Sequence, residues 1–128
     1  MASFAIHVVV GVDDDFRVRE SIESLVESAG FAPVVFSSAE EFLQSGRLAE
    51  ATCLVTDVRM PGMDGIELQR RIRLERPQLP VIFISAHHDD AIRQRALRGG
   101  AVDFLYKPFD GEDLLRAIGR AMSESPNE

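Results

Sequence analysis

The chain has 128 residues, 45% of them hydrophobic, which is enough for one domain with a buried core and too apolar for a disordered segment. Its formal net charge of −7 argues against non-specific attachment to nucleic acid. No apolar run approaches the roughly 18–20 residues that cross a bilayer, which excludes a membrane span of that kind.

The opening Met1-Ala2-Ser3-Phe4-Ala5 lacks the basic stretch of a signal peptide. The single cysteine, Cys53, lies in an apolar run, as a buried, inert thiol in a reducing cytoplasm would. Of the 14 basic residues only Lys107 is a lysine.

The run Ile6-His7-Val8-Val9-Val10-Gly11-Val12, rich in β-branched residues and cut off by Asp13-Asp14-Asp15, predicts a strand covered on both faces, as in a parallel sheet. Val18, Ile22, Leu25, Val26 and Ala29 then recur at helical spacing, with Gly30 as the stop. Pro33-Val34-Val35-Phe36 reads as a short strand placed near an edge by its proline. Ser38 with Glu41 forms a capping-box pattern for a helix that buries Phe42 and Leu43.

Ala51 to Thr56 predicts a third strand ending at Asp57, followed by the loop Arg59-Met60-Pro61-Gly62-Met63. Asp64 and Glu67 cap a helix carrying Ile66, Leu68 and Ile72, which ends before Pro77. Val81-Ile82-Phe83-Ile84 is the most strand-like segment and stops at Ser85. A less marked helix over 89–98 is broken by Gly99-Gly100, and Val102 to Tyr106 is a fifth strand. After Lys107-Pro108-Phe109, Asp110 caps a last helix with Leu114, Leu115, Ile118 and Met122 inward. Residues 1–122 thus form one domain, and the polar 123–128 reads as a flexible tail or the start of a linker.

Five strands alternating with five helices predict an α/β domain with a doubly wound parallel sheet. In such a sheet functional residues gather beyond the carboxyl ends of the strands, at the topological switch point. Asp13-Asp14-Asp15 follow the first strand, Asp57 ends the third, Ser85 the fourth, and Lys107-Pro108 the fifth. Each alone has an ordinary reading as a cap, turn or surface residue; their convergence from four stretches does not. Clustered carboxylates repel by about 4 kcal/mol per pair at ~4 Å and an effective dielectric of 20, so they call for a cation or for Lys107. Hard oxygen ligands suit Mg2+, which keeps waters and open positions for phosphate oxygens. With Mg2+ and Lys107 in place, such a pocket accepts a phosphoryl group, and a carboxylate attacking phosphorus gives an acyl phosphate.

The acidic cluster after strand one, the segment Val55-Thr56-Asp57-Val58-Arg59-Met60-Pro61-Gly62-Met63-Asp64-Gly65, then Ile84-Ser85-Ala86 and Phe104-Leu105-Tyr106-Lys107-Pro108-Phe109, resemble a bacterial response-regulator receiver domain from about Ile6 to Met122. The Asp57 segment and Gly99-Gly100-Ala101-Val102-Asp103-Phe104 look closest to the nitrogen-fixation and nitrate-response regulators.

The resemblance implies a flavodoxin-like sheet of order 2-1-3-4-5 with Asp57 as phosphoacceptor. It implies Mg2+ or Mn2+ held by Asp14 directly, by Asp13 largely through water, by Asp57 and by the Arg59 backbone carbonyl. Asp15 leaves open which two of the three neighbouring acids serve the metal. Lys107 would pair with the phosphoryl oxygens, with a cis peptide bond before Pro108 aiding its aim. Ser85 would bond the phosphoryl group and move toward it. Phe104 would turn inward in concert, reshaping the face of helix four, strand five and helix five. Arg59 and His87, two residues beyond Asp57 and Ser85, would set the lifetime of the acyl phosphate.

The implied partners are a sensor histidine kinase as phosphodonor and a second copy through that reshaped face, where Arg95, Arg98, Asp103, Arg116 and Arg120 lie. A C-terminal DNA-binding domain in a longer parent protein is also implied, with no direct nucleic-acid contact by this chain and no membrane. Such a domain is no turnover enzyme, although it assists its own phosphorylation and dephosphorylation.

Other readings have sequence features for and against them. Asp13-x-Asp15 nominally matches the motif of small Mg2+-dependent aspartyl-phosphate phosphatases, but Phe16-Arg17-Val18 replaces the hydroxyl and small residues expected next, and the chain has no room for a cap. A flavin binder needs a Ser/Thr/Gly phosphate loop where this chain has three acids. A degenerate receiver that docks partners without phosphorylation lacks pocket residues, and here all are present. His87-His88-Asp89-Asp90 has no common metal-site spacing, and His7 reads as a pocket-lining or edge residue rather than a phosphodonor.

Overall fold

The computed structural model describes residues 6–123. Five strands, β1 (Val8–Val12), β2 (Ala32–Phe36), β3 (Ala51–Asp57), β4 (Val81–Ser85) and β5 (Asp103–Tyr106), pair in parallel in the order β2-β1-β3-β4-β5. They alternate with α1 (Phe16–Ser28), α2 (Ala39–Gln44), α3 (Gly65–Glu75), α4 (Asp90–Arg98) and α5 (Gly111–Ser123). The flavodoxin-like doubly wound architecture is therefore the one expected, with β2 and its proline at an edge.

Side-chain alternation divides the core between two faces. Val8, Val10, Val12, Leu54 and Phe83 pack toward Phe42 of α2, Leu68 and Ile72 of α3 and Ala96 of α4. Val9, Cys53, Val55, Ile82 and Ile84 pack toward Ile22 and Val26 of α1 and Leu114, Ala117 and Ile118 of α5. Because β1, β3 and β4 are covered on both sides, their sequences are almost unbroken apolar runs. Burial within this second layer pushes the Cys53 thiol up to about 12, which leaves it protonated and inert.

The elements start and stop where their caps dictate. Asp15, Ser38, Asp64 and Asp89 each accept a backbone N–H of the first turn of α1, α2, α3 and α4. The Asp110 carboxylate accepts from the Glu112 N–H at 2.8 Å ahead of α5. Several details differ from the periodicity. The first strand begins at Val8, leaving Ile6 75% exposed, because His7 and Ile6 precede the first ladder pair. Ala29 is the C-cap of α1 and is exposed, not part of its buried stripe. A 3-10 turn over Leu48–Glu50, unmarked in the sequence, leads into β3. Ser123 closes α5, and the rest of the expected tail, 124–128, lies outside the described residues.

α3 and α4 are tied at one end by one buried and one exposed polar contact. The Gln69 side chain, 4% exposed, donates to the Ala96 carbonyl at 3.0 Å, and Arg73 donates to the Gly99 carbonyl at 2.6 Å. Replacing Gln69 by alanine removes a buried hydrogen bond and leaves a void. The expected loss is about 1–3 kcal/mol in urea unfolding, with an unchanged slope; an unmoved midpoint would show that this tie contributes nothing.

Candidate phosphoacceptor site

Four adjacent strands deliver the chemistry. β1 continues into Asp13 and Asp14, β3 ends on Asp57, β4 ends on Ser85, and β5 runs into Lys107. The ladder brings them level: Asp57 lies opposite Ile84, Ser85 opposite Tyr106, and the Lys107 N–H bonds the Ser85 carbonyl at 2.8 Å. The sheet order reverses at β1, so this is also the switch point at which open α/β sheets hold ligands.

The Lys107 ammonium lies 2.8 Å from Asp13 Oδ2 and 3.2 Å from Asp57 Oδ2. Asp13 is fully buried and Asp57 is 5% exposed. Asp13 is held from several sides: its Oδ1 accepts the Asp15 N–H at 2.8 Å, and its backbone N–H bonds the Phe36 carbonyl. Its Oδ2 has no directed hydrogen bond; the Lys107 contact is close but off line, a charge contact. Carboxylate oxygens of Asp13, Asp14 and Asp57 lie within 4.8 Å of one another.

That set fits a hard divalent cation: all donors are oxygens, one is buried without a hydrogen bond, and Asp14 is open to solvent. Asp15 stands apart. Its carboxylate caps α1 by accepting the Arg17 N–H at 2.9 Å, and the same N–H and the Arg17 guanidinium hold its carboxyl below the ordinary 3.8. Asp13 and Asp14, and not Asp15, therefore share the acidic cluster with Asp57, and the carboxylates of Asp13 and Asp15 are not brought together as the Asp13-x-Asp15 motif would need.

The remaining expected residues surround this centre. Arg59, in the loop 58–64 between β3 and α3, turns its guanidinium to Asp89 at 3.5 Å, so a side chain from one wall of the mouth meets the cap of α4 on the other. The Ser85 hydroxyl, 2% exposed, is engaged with the next loop: it accepts the His87 N–H at 3.0 Å and donates to the His87 carbonyl at 3.2 Å. His87 itself is exposed, whereas the His88 ring stacks on Tyr106 with centroids 4.1 Å apart. Phe104 is already inward, stacked on Phe83 and edge-on to Tyr106. The Lys107-Pro108 peptide bond is cis. A cleft of about 510 Å³ beside Lys107 is lined by Val18, Ser21, Ala86, Pro108 and Phe109 together with Asp15 and Arg17.

Gly65 shows how tightly Asp57 is backed. A Cβ there would come 2.2 Å from the Asp57 carbonyl oxygen, so only glycine lets α3 start against the end of β3. Reading along the chain did not single out Glu40, which accepts the Met63 N–H at 2.8 Å, or Asp89 as the partner of Arg59. Neither contact has a local signal, since each joins residues 23 or more positions apart.

Burial pushes the Asp57 carboxyl above its ordinary 3.8, and neighbouring Asp13 adds to this while Lys107 opposes it. For Lys107 burial acts downward, but the two carboxylates outweigh it and hold the ammonium above 10.5. A carboxyl whose folded pKa is raised costs stability once ionised. That cost is fully present above the raised folded value and absent below the unfolded one, 3.8. Asp57→Asn is therefore expected to unfold at higher urea than the parent at neutral pH, with the difference closing as pH falls through the carboxylate range. A less stable Asn variant at pH 7 would contradict this assignment of the electrostatic cost.

Residues 9–119 match the family model described as the response regulator receiver domain. The response regulator protein TodT of Pseudomonas putida is 43% identical over 121 residues, covering 94% of this chain and 53% of TodT. The transcriptional regulatory protein FixJ of Bradyrhizobium diazoefficiens is 39% identical over 119 residues, covering 93% of this chain and 58% of FixJ. The crystal structure of FixJ-N superposes with a TM-score of 0.82 at 36% identity, over 97% of each chain. The chain spans about half the length of the curated relatives it matches. With four strand ends converging on one lysine and three aspartates, and with this match over most of its length, the chain belongs to the receiver domains of two-component response regulators.

Proposed function

We propose that Asp57 accepts a phosphoryl group from a phosphohistidine of a sensor histidine kinase, and that the resulting acyl phosphate switches the face formed by α4, β5 and α5. The observation that carries this reading is the single ammonium of Lys107 shared between Asp13 and Asp57 at the base of an acidic pocket. In transfer, a carboxylate oxygen of Asp57 attacks phosphorus as the bond to the donor imidazole nitrogen breaks, and the imidazole departs with that electron pair. Lys107 then exchanges its contact with the Asp57 carboxylate for the phosphoryl oxygens, keeping Asp13 as its fixed counter-ion. Mg2+ or Mn2+, held by Asp13, Asp14, Asp57 and the Arg59 carbonyl, would neutralise charge on the oxygens in flight.

Ser85 supports the switching half of the proposal. Its hydroxyl is satisfied by His87 now, so bonding the phosphoryl group requires it to release the β4–α4 loop. That loop also carries the His88–Tyr106 stack and the Asp89 cap, which links it to β5 and α4. In this reading Arg59, which bridges to Asp89 at the mouth, and His87 set the lifetime of the acyl phosphate.

Phe104, packed between Phe83 and Tyr106, would hold the altered form. The output is proposed to be a homodimer through α4, β5 and α5, where Arg95 and Arg98 are exposed and Arg120 pairs with Asp103. A DNA-binding domain after this one in a longer parent is proposed in keeping with its transcription-regulator relative. The domain assists its own phosphorylation and hydrolysis without turning over a substrate, and a cytoplasmic site follows from such a partner.

The test is the intact mass after incubation with acetyl phosphate and Mg2+, beside Asp57→Asn and an EDTA control. One acid-stable, base-labile phosphoryl adduct, absent from both controls, is expected. No adduct in the parent chain would leave a docking module that works without phosphorylation.

A further inference from the structure

We infer that Glu40, far from the acidic cluster in sequence, is a positioning residue for the site: it holds the β3–α3 loop so that the Arg59 carbonyl faces the bound cation. The inference rests on the phosphoacceptor reading above. Glu41, and not Glu40, completes the start of α2, with its carboxylate accepting from the Ser37 N–H at 2.8 Å and the Ser37 hydroxyl at 3.1 Å. That leaves Glu40 free to reach across, where its Oε2 accepts the Met63 N–H at 2.8 Å.

The loop between Val58 and Asp64 is anchored at its ends. The Gly65 N–H closes it on the Val58 carbonyl at 2.8 Å, Met60 inserts into the core, and Asp64 caps α3. Between those anchors, Arg59, Pro61 and Gly62 are exposed. Among the described residues, the backbone of 59–63 makes one hydrogen bond to a side chain from elsewhere in the fold, and Glu40 provides it. Gly62 is shaped to that contact: it has φ +78°, and a Cβ on it would lie 2.5 Å from Glu40 Oε2. A loop backbone that supplies a carbonyl ligand needs such outer support, since a metal tolerates little misplacement of its donors.

The test compares the parent chain with Glu40→Ala and Glu40→Gln. It reads Mg2+ half-saturation from amide shifts in a titration, hydrogen exchange at Met63, and the Mg2+ dependence of acetyl-phosphate labelling. Glu40→Ala is expected to raise the half-saturating Mg2+ roughly tenfold and speed exchange at Met63, while labelling at saturating Mg2+ stays within about twofold. Glu40→Gln keeps an oxygen acceptor without the charge and is expected to behave as the parent does.

Two outcomes would overturn the positioning role on its own: a Glu40→Ala variant with the parent's Mg2+ dependence, or a Gln variant as weak as Ala, which would mean long-range charge. A parent chain that neither binds Mg2+ nor takes a phosphoryl group would instead sink the phosphoacceptor reading, and this inference with it.

Discussion

The arrangement depends on one ammonium between two buried carboxylates. Without Lys107, Asp13 and Asp57 would face each other with little solvent to screen them, a repulsion on the order of 4 kcal/mol at ~4 Å and an effective dielectric of 20. The parallel order of the sheet places lysine and acids together, because β1, β3, β4 and β5 lie side by side with their carboxyl ends at one edge. The balance is incomplete: burial and Asp13 still outweigh Lys107 at Asp57, whose carboxyl is held above its ordinary value. A pocket left short of positive charge suits the divalent cation and the phosphoryl group of the proposed function.

The same geometry gives the proposed switch its leverage. α4 is fastened near its C-terminal end by Gln69 to the Ala96 carbonyl and by Arg73 to the Gly99 carbonyl. Its N-terminal end is held by lighter contacts, the exposed Arg59–Asp89 pair and the loop bonds of Ser85. Exposed ion pairs contribute about 0–1 kcal/mol, so a new charge at Asp57 would compete with them readily, whereas the end held by the buried Gln69 bond would resist. In the proposed switch a change at the site would act first on the end of α4 beside it, and β5 would follow through the His88–Tyr106 stack.

Much of this was legible in the sequence because it is local. Buried parallel strands announce themselves as apolar runs, and the caps at Ser38, Asp64 and Asp110 lie two or three residues from what they bind. The α4 segment, with weak periodicity, was still bounded by Gly99-Gly100, whereas its Asp89 cap is seen only in the structure. What escaped notice joins distant segments: Glu40 to Met63, Arg59 to Asp89 and Gln69 to Ala96. Three consecutive aspartates look equivalent in a sequence, and only the start of α1 at Phe16 separates Asp15, a cap, from the two that enter the pocket.

The most direct measurement of the central claim is an amide NMR spectrum of the chain with Mg2+ and beryllofluoride, a phosphoryl mimic, beside Asp57→Asn. The expected result is a large shift of the His87 amide, whose hydrogen bond to the Ser85 hydroxyl is lost when that hydroxyl turns to the mimic. Shifts should extend into the N-terminal turn of α4 and be absent from the Asn variant. Binding of the mimic at Asp57 with the His87 amide unmoved would contradict the link between the acidic pocket and the β4–α4 loop.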